Sequence, residues 1–230
     1  MNFYESINKY YDNIFPLNEK QAEFVRGEFR DCKSKLVEVG CANGKLTNAL
    51  SEYNIIGIDL EKSFIDAARS KYKRVSFERC NMLDITDLNS NFDGIFTFGN
   101  TLVHLSIDDI KIFINKAYGI LNKGGKLLIQ ILNYDNILDN RIEELPLIDN
   151  EAITFIRSYS HGDRFIFNTT LKIKSEGQEV KNSIELTPIR KKELLGILEE
   201  AGFRKINVYS SFDKEKYSSR SLPLIVSCEK

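Results

Sequence analysis

Residues 35–45 read Lys-Leu-Val-Glu-Val-Gly-Cys-Ala-Asn-Gly-Lys, and residues 54–59 read Asn-Ile-Ile-Gly-Ile-Asp. Leu36, Val37 and Val39 form the short apolar, β-rich run of a strand buried on both faces, as in a parallel sheet. The passage through Gly40 and Gly44 into the mixed stretch 45–52 reads as strand, turn, helix. Glycines there let a ligand press against main-chain N–H groups at a helix start. Asp59, at the tip of the next strand, can accept two hydrogen bonds from a ribose diol. Together these features describe a nucleoside site.

The spacing selects among nucleosides. A nicotinamide-type G-x-G-x-x-G begun at Gly40 would need glycine at positions 42 and 45, where the chain has Ala42 and Lys45. What is present is Glu38, Gly40 and Gly44, with Ala42 between the glycines. This pattern resembles motif I of the class I S-adenosylmethionine-dependent methyltransferases, with Ala42 for the middle glycine. The rest of the order agrees: a helix over 62–71, a strand over 74–79, a fourth strand in 92–98, and a helix, turn and fifth strand around 121–129, with Lys123 for the family's usual proline.

The resemblance implies a Rossmann-like, doubly wound α/β sheet of seven strands, ending in a reversed hairpin, with S-adenosylmethionine as cofactor. It implies that Glu38 orders the loop and water around the methionine part, that Gly40, Cys41, Ala42 and Gly44 form the turn, and that Asp59 and Leu60 lie at the ribose. Asn81 and Met82 take the adenine positions, with Asp84 competing for the amino group. Phe98 and Gly99 close the site. The run Gly99-Asn100-Thr101 to His104-Leu105 resembles that of glycine and sarcosine N-methyltransferases, and sits where substrate meets methyl.

Outside this core the chain departs from α/β alternation. Residues 1–33 carry Tyr4, Tyr10, Tyr11, Ile14 and Phe15 ahead of a helix over 18–29, with Asn18 as N-cap and Gln21 completing a capping box. The aromatics either pack this helix on the sheet or, through Tyr10 or Tyr11, cover the cofactor. Segments 153–160, 164–174 and 179–186 alternate in apolar character between turn-like Ser160-His-Gly-Asp163 and Ser175-Glu-Gly-Gln178, predicting a three-stranded antiparallel meander. It lies within an insertion, 133–188, after the core, 34–132. A helix over 189–201 and strands over 204–211 and 222–228 make up 189–230 and complete a single domain of 1–230, around a charged loop at 213–220.

Candidate chemistry gathers at strand ends. His104 is the candidate base, its residue class suited to proton removal near neutral pH, or else it caps the helix starting near Ser106. Asn100 orients a substrate polar group or bonds its own turn. Asn133 and Tyr134, past the fifth strand, stand where open α/β sheets bind ligands. Tyr159 and Arg164, with Arg157 and His161, could reach over the pocket from the meander. Glu143 and Glu144 read as surface charge.

Composition sets limits. With 230 residues and a net charge of −1, one domain with its own core is expected, and no field to hold a polyanion. Pro16, Pro146, Pro188 and Pro223 form none of the proline motifs of nucleic-acid methyltransferases. The acceptor is therefore expected to be a small polar molecule, methylated on N or O, and not a nucleic acid. Cys32, Cys41, Cys80 and Cys228 include no C-x-x-C pair, predicting reduced thiols and no metal site, and the lack of an uncharged apolar run long enough to cross a bilayer adds the expectation of a cytoplasmic, membrane-free protein. The rival reading is a cofactor-binding or scaffold protein with no turnover, and nothing in the sequence sets the oligomeric state.

Overall fold

The computed structural model describes residues 7–230, so Tyr4 lies outside the described residues. The helices are α1 (Tyr11–Ile14), α2 (Glu19–Glu28), α3 (Lys45–Ala49), α4 (Lys62–Lys71), α5 (Ile107–Ile120), α6 (Tyr134–Asp139) and α7 (Lys191–Glu200). The strands are β1 (Lys35–Val39), β2 (Asn54–Asp59), β3 (Ser76–Arg79), β4 (Phe92–Thr97), β5 (Leu121–Leu132), β6 (Ile148–Asp149), β7 (Ile153–His161), β8 (Phe165–Ile173), β9 (Gln178–Glu185), β10 (Arg204–Tyr209) and β11 (Pro223–Glu229).

One sheet has seven strands in the order β10-β11-β5-β4-β1-β2-β3. Strands β1 to β5 pair in parallel, β11 runs antiparallel to β5, and β10 is antiparallel to β11. This is the expected α/β sheet with its reversed terminal hairpin. Chain order turns back between β1 and β4, so their carboxyl ends open the crevice in which doubly wound sheets bind ligands. Alternation along β1 explains the double-sided core. Val37 and Val39 face Ile110, Phe113 and Ile114 of α5, whereas Leu36 faces Ala22 and Val25 of α2 and Leu46 beside them. Each such fully buried side chain stabilises the fold by roughly 1.5–3 kcal/mol relative to exposure.

Local chemistry sets the element ends. Asn18 caps α2, its side chain accepting from the Lys20 N–H at 3.1 Å rather than from Gln21. Ser106 caps α5 by accepting from the Asp109 N–H. The expected turn before β5 is instead folded into the strand. Its ladder with β4 shifts between Phe92 and Gly94, because Gly124 adopts φ +78°.

The predicted meander has a fourth strand. The sheet runs β6-β7-β8-β9, and β6 is too short to carry an alternating signal. Ile7 and Ile14 pack against Ile153, Phe155, Leu171 and Ile173 of this second sheet. The aromatic N-terminal segment therefore joins the insertion, while α2 packs on the main sheet.

Candidate functional site

A cleft of about 690 Å³ lies at the carboxyl ends of β1, β2 and β4, roofed by α1 and the second sheet. Its floor is the β1–α3 turn. Gly40 sits at φ +76°, and a Cβ there would come within 2.5 Å of Thr101, so the position excludes side chains twice over. Ala42 also adopts positive φ, +46°. A left-handed alanine costs roughly 1–2 kcal/mol, and the turn holds it by a hydrogen bond from its N–H to Asp59 Oδ2 at 2.8 Å. Asp59 Oδ1 accepts from the Glu61 N–H at 2.9 Å. Each carboxylate oxygen keeps a second lone pair for a ligand hydroxyl.

Three acids crowd this end. Glu38 is buried and accepts from the Thr47 hydroxyl. Burial, helped by the nearby Asp59 charge, pushes its carboxyl up to about 8. Burial also raises Asp59. Glu61 completes the acidic rim. A cation placed among them would be favoured, since an opposite charge restores the ionised forms of Glu38 and Asp59.

Tyr11, Cys41, Leu60, Asn81, Met82, Phe98 and Gly99 line the same cleft. Leu60 is 55 % exposed, an apolar side chain left uncovered at the mouth. Asn81 caps the 3-10 turn Met82–Leu88, accepting from the Leu83 N–H. Tyr11 contacts Phe64 edge-on at 4.8 Å, and Asp12 beside it pairs with Lys45 and Lys71. This clasp fastens the N-terminal cover to the β1–α3 turn.

His104 and Asn100 also face the cleft. Burial lowers the His104 imidazole to about 4, which keeps it neutral at physiological pH. The Asn100 carboxamide is engaged in its own wall: Nδ2 donates to the Tyr134 hydroxyl at 3.0 Å, and Oδ1 accepts from the Leu132 N–H at 3.0 Å. These bonds tie Asn100 to the end of β5 and to Tyr134 rather than to the turn after Gly99.

Four expected site residues stand elsewhere. Gly44 lies under the turn, where a Cβ would strike Phe77 at 2.4 Å, so its role is helix–strand packing. Asn133 is buried and donates to the carbonyls of Ser218, Ser219 and Ser221, pinning that loop. Tyr134 is fully buried behind Asn100. Arg164 is exposed and pairs with Glu185 at 3.5 Å, because it follows the β7–β8 turn beyond the roof. Of the meander residues, Tyr159 and Arg157 line the cleft, whereas His161 bonds the Ile142 carbonyl. Gln130 and Phe155 are among the lining residues that the sequence reading did not single out. Gln130 accepts from the Gly99 N–H at 2.7 Å, and Phe155 packs the roof. A lone glutamine inside the apolar β5 run was the available signal for the first.

Residues 36–125 match the model of the methyltransferase domain family. Over that stretch the chain is similar to S-adenosylmethionine-dependent methyltransferases. It is 28% identical over 131 residues to a glycine/sarcosine/dimethylglycine N-methyltransferase of Actinopolyspora halophila, covering 56% of this chain and 22% of that one. It is 26% identical over 186 residues to a carboxy-S-adenosyl-L-methionine synthase of Campylobacter jejuni, covering 75% and 70% of the two chains. The chain thus spans under a quarter of the first of these relatives. A S-adenosylmethionine-dependent methyltransferase structure from Clostridium acetobutylicum superposes with TM-score 0.81 at 14% identity over 99% of both chains. An S-adenosylmethionine-bound amino pentose methyltransferase from Micromonospora echinaspora gives 0.73 at 16% identity over 99% and 97%. At such identities the fold is what is shared. Among the described residues, no helix is long and apolar enough to cross a membrane.

Proposed function

We propose that this chain transfers a methyl group from S-adenosylmethionine to the nitrogen or oxygen of a small molecule held under the second sheet. The observation that carries the reading is one cleft with an acidic, backbone-lined end at Glu38, Gly40 and Asp59 and a neutral buried imidazole, His104, on its wall. Glu38 suits an ammonium group, Asp59 a ribose diol, and Leu60 with Met82 the flat faces of an adenine. Bound there, S-adenosylmethionine supplies an electrophilic methyl on a sulfonium.

The chain's own work is alignment and proton removal. Gln130 and Asn100 fix the backbone after β4, so that the wall carrying His104 is rigid. Alignment of this kind removes orientational freedom that the reaction would otherwise lose at the barrier. His104 takes the proton from the acceptor's N–H or O–H. Its lowered basicity reduces the driving force for that transfer but keeps the ring unprotonated, and so competent, well below neutral pH.

Calorimetric titration with S-adenosylhomocysteine and with nicotinamide dinucleotides tests the donor site. Saturable binding of the first alone is expected, and preference for a dinucleotide would overturn the reading. Amine, hydroxyl and carboxylic-acid metabolites are then screened for S-adenosylhomocysteine release. On the acceptor found, His104→Ala should lower turnover by about 10²–10⁴-fold with donor affinity unchanged. The wild-type acid limb should fall near pH 4, since the free imidazole exists only above its pKa. Donor binding without turnover on any acceptor would instead favour the non-catalytic reading.

A further inference from the structure

The roof of the cleft holds polar groups that the donor site does not use. Phe155, Arg157 and Tyr159 alternate onto one face of β7, and all three line the cleft. Cross-strand partners in an antiparallel pair share a face, and in the β7–β8 register Thr169 stands opposite Arg157 while Phe167 stands opposite Tyr159. Six buried side-chain polar atoms among the described residues lack a hydrogen-bond partner. Three of these belong to residues of this face: Arg157 Nε and the Tyr159 hydroxyl, whose residues line the cleft, and the Thr169 hydroxyl, whose residue does not line it; the Tyr159 hydroxyl also has the Tyr134 hydroxyl beside it. Such groups are ordinarily satisfied, and a cluster of exceptions calls for a physical reason.

The donor chemistry of the cluster is specific. Arg157 offers only N–H groups; Nη2 donates to the Pro146 carbonyl at 2.7 Å, and among the described residues no carboxylate pairs with the guanidinium. Burial lowers its pKa in direction, yet arginine keeps its charge in proteins. Burial likewise holds the Tyr159 phenol protonated, against the opposing pull of the Arg157 charge and the Tyr134 hydroxyl. A cation beside a phenol that can donate matches a group that only accepts, and an ionised carboxylate is such a group. The surroundings are apolar: Phe155, Phe167, Ile184 and Leu186 share this wall. The acids Glu38, Asp59 and Glu61 lie at the donor end and would repel an anion there.

We propose that Arg157, with Tyr159 beside it, forms an anion subsite for the acceptor, so that the acceptor is a carboxylic acid with an apolar body. This rests on the methyltransferase reading for the word acceptor, but the subsite can be tested apart from it. The anionic end binds under β7 and β8, and the apolar body lies along the aromatic wall with the nucleophile directed toward His104. The expected substrate is therefore less polar than composition alone suggested.

Phenylacetate and 3-phenylpropionate, each beside its neutral amide, are titrated calorimetrically into the full chain, with and without saturating S-adenosylhomocysteine. The acids should bind saturably and at least about tenfold more tightly than the amides. Arg157→Gln should weaken the acids by about tenfold to a hundredfold and leave the amides unchanged. Arg157→Lys should recover part of that loss, and Tyr159→Phe, which keeps the ring, should cost about threefold to tenfold. S-adenosylhomocysteine affinity in every variant should match wild type, which also reports that the variant is folded. Equal binding of acid and amide, or no binding of any acid at millimolar concentration, overturns the subsite. Failure of S-adenosylhomocysteine to bind would remove the methyl-donor reading instead, leaving the subsite to the acid–amide difference in the free chain.

Discussion

At one end of the cleft, three carboxylates stand on and beside the tips of adjacent parallel strands; at the other, a guanidinium and a phenol stand on an antiparallel face among aromatic and aliphatic side chains. The donor end is built from backbone and short side chains, within a few residues of Gly40 and Asp59. The proposed acceptor end draws on long side chains of strands β7 and β8, which begin more than ninety residues after Asp59. A ligand shared by every member of a family can be held by a short local motif. One that differs between members needs a wall that can change without disturbing that motif, and an inserted sheet provides it.

The sharpest way to break this division is at Asp59. Its carboxylate binds both the Ala42 and Glu61 N–H groups, and charge-assisted bonds of its kind are worth about 1.5–3 kcal/mol. Asp59→Ala should weaken S-adenosylhomocysteine by about tenfold to a few hundredfold, while carboxylate probes bind the free chain as before. Equal losses at both ends, measured by calorimetry, would show that the halves are not independent.

The same division explains what the sequence disclosed. The end proposed for the donor left a readable strand-turn-strand pattern because Glu38, Gly40 and Asp59 owe their positions to strand ends and tight turns. The seven-stranded sheet with its reversed hairpin was implied by the family resemblance that those signals carried. Asn133, Tyr134 and Arg164 were misplaced because position along the chain does not say which way a side chain points. Asn133 lies just past β5, yet turns inward to bind the carbonyls of the 218–221 loop. Arg164 falls just outside the paired strand, whereas Arg157 shares the inward phase of Phe155 and Tyr159. That phase was visible in the alternation, but an arginine on an inward face looks like an error of register until the cleft is seen behind it.

Glu38 gives the next, smaller effect, through pH. Burial, with Asp59 nearby, raises its carboxyl to about 8 from an ordinary 4.5. Between these values the folded chain keeps a proton that the unfolded chain releases, so this contribution to stability is present below about 4.5 and is lost as pH rises through about 8. An arriving ammonium favours the ionised form, so donor binding should release a proton and tighten as pH rises toward 8. Glu38→Gln should flatten the melting-temperature slope by a few degrees between pH 6 and 9 and weaken the donor by roughly tenfold at pH 8, less at pH 6. Calorimetry in buffers of different ionisation enthalpy reads the proton directly. Unchanged pH dependence in the variant would move the ammonium contact away from Glu38.

The smallest effect is the most discriminating, because it sets two arginines of one sheet against each other. Arg164 and Glu185 form an ion pair at 3.5 Å with side chains 75% and 55% exposed, and such pairs contribute about 0–1 kcal/mol. Arg164→Ala should therefore change the melting temperature by no more than a degree or two, and donor and carboxylate-probe affinities by less than about twofold. Arg157 is half-buried, lacks a carboxylate partner and borders the cleft, so its replacement should act on carboxylate binding alone. If Arg164→Ala were to reduce probe binding as strongly as Arg157→Gln, the anion would be held by the general positive potential of the roof. A loss confined to Arg157 would establish that the antiparallel sheet reads the acceptor through one inward-facing side chain, with strand phase deciding which arginine does so.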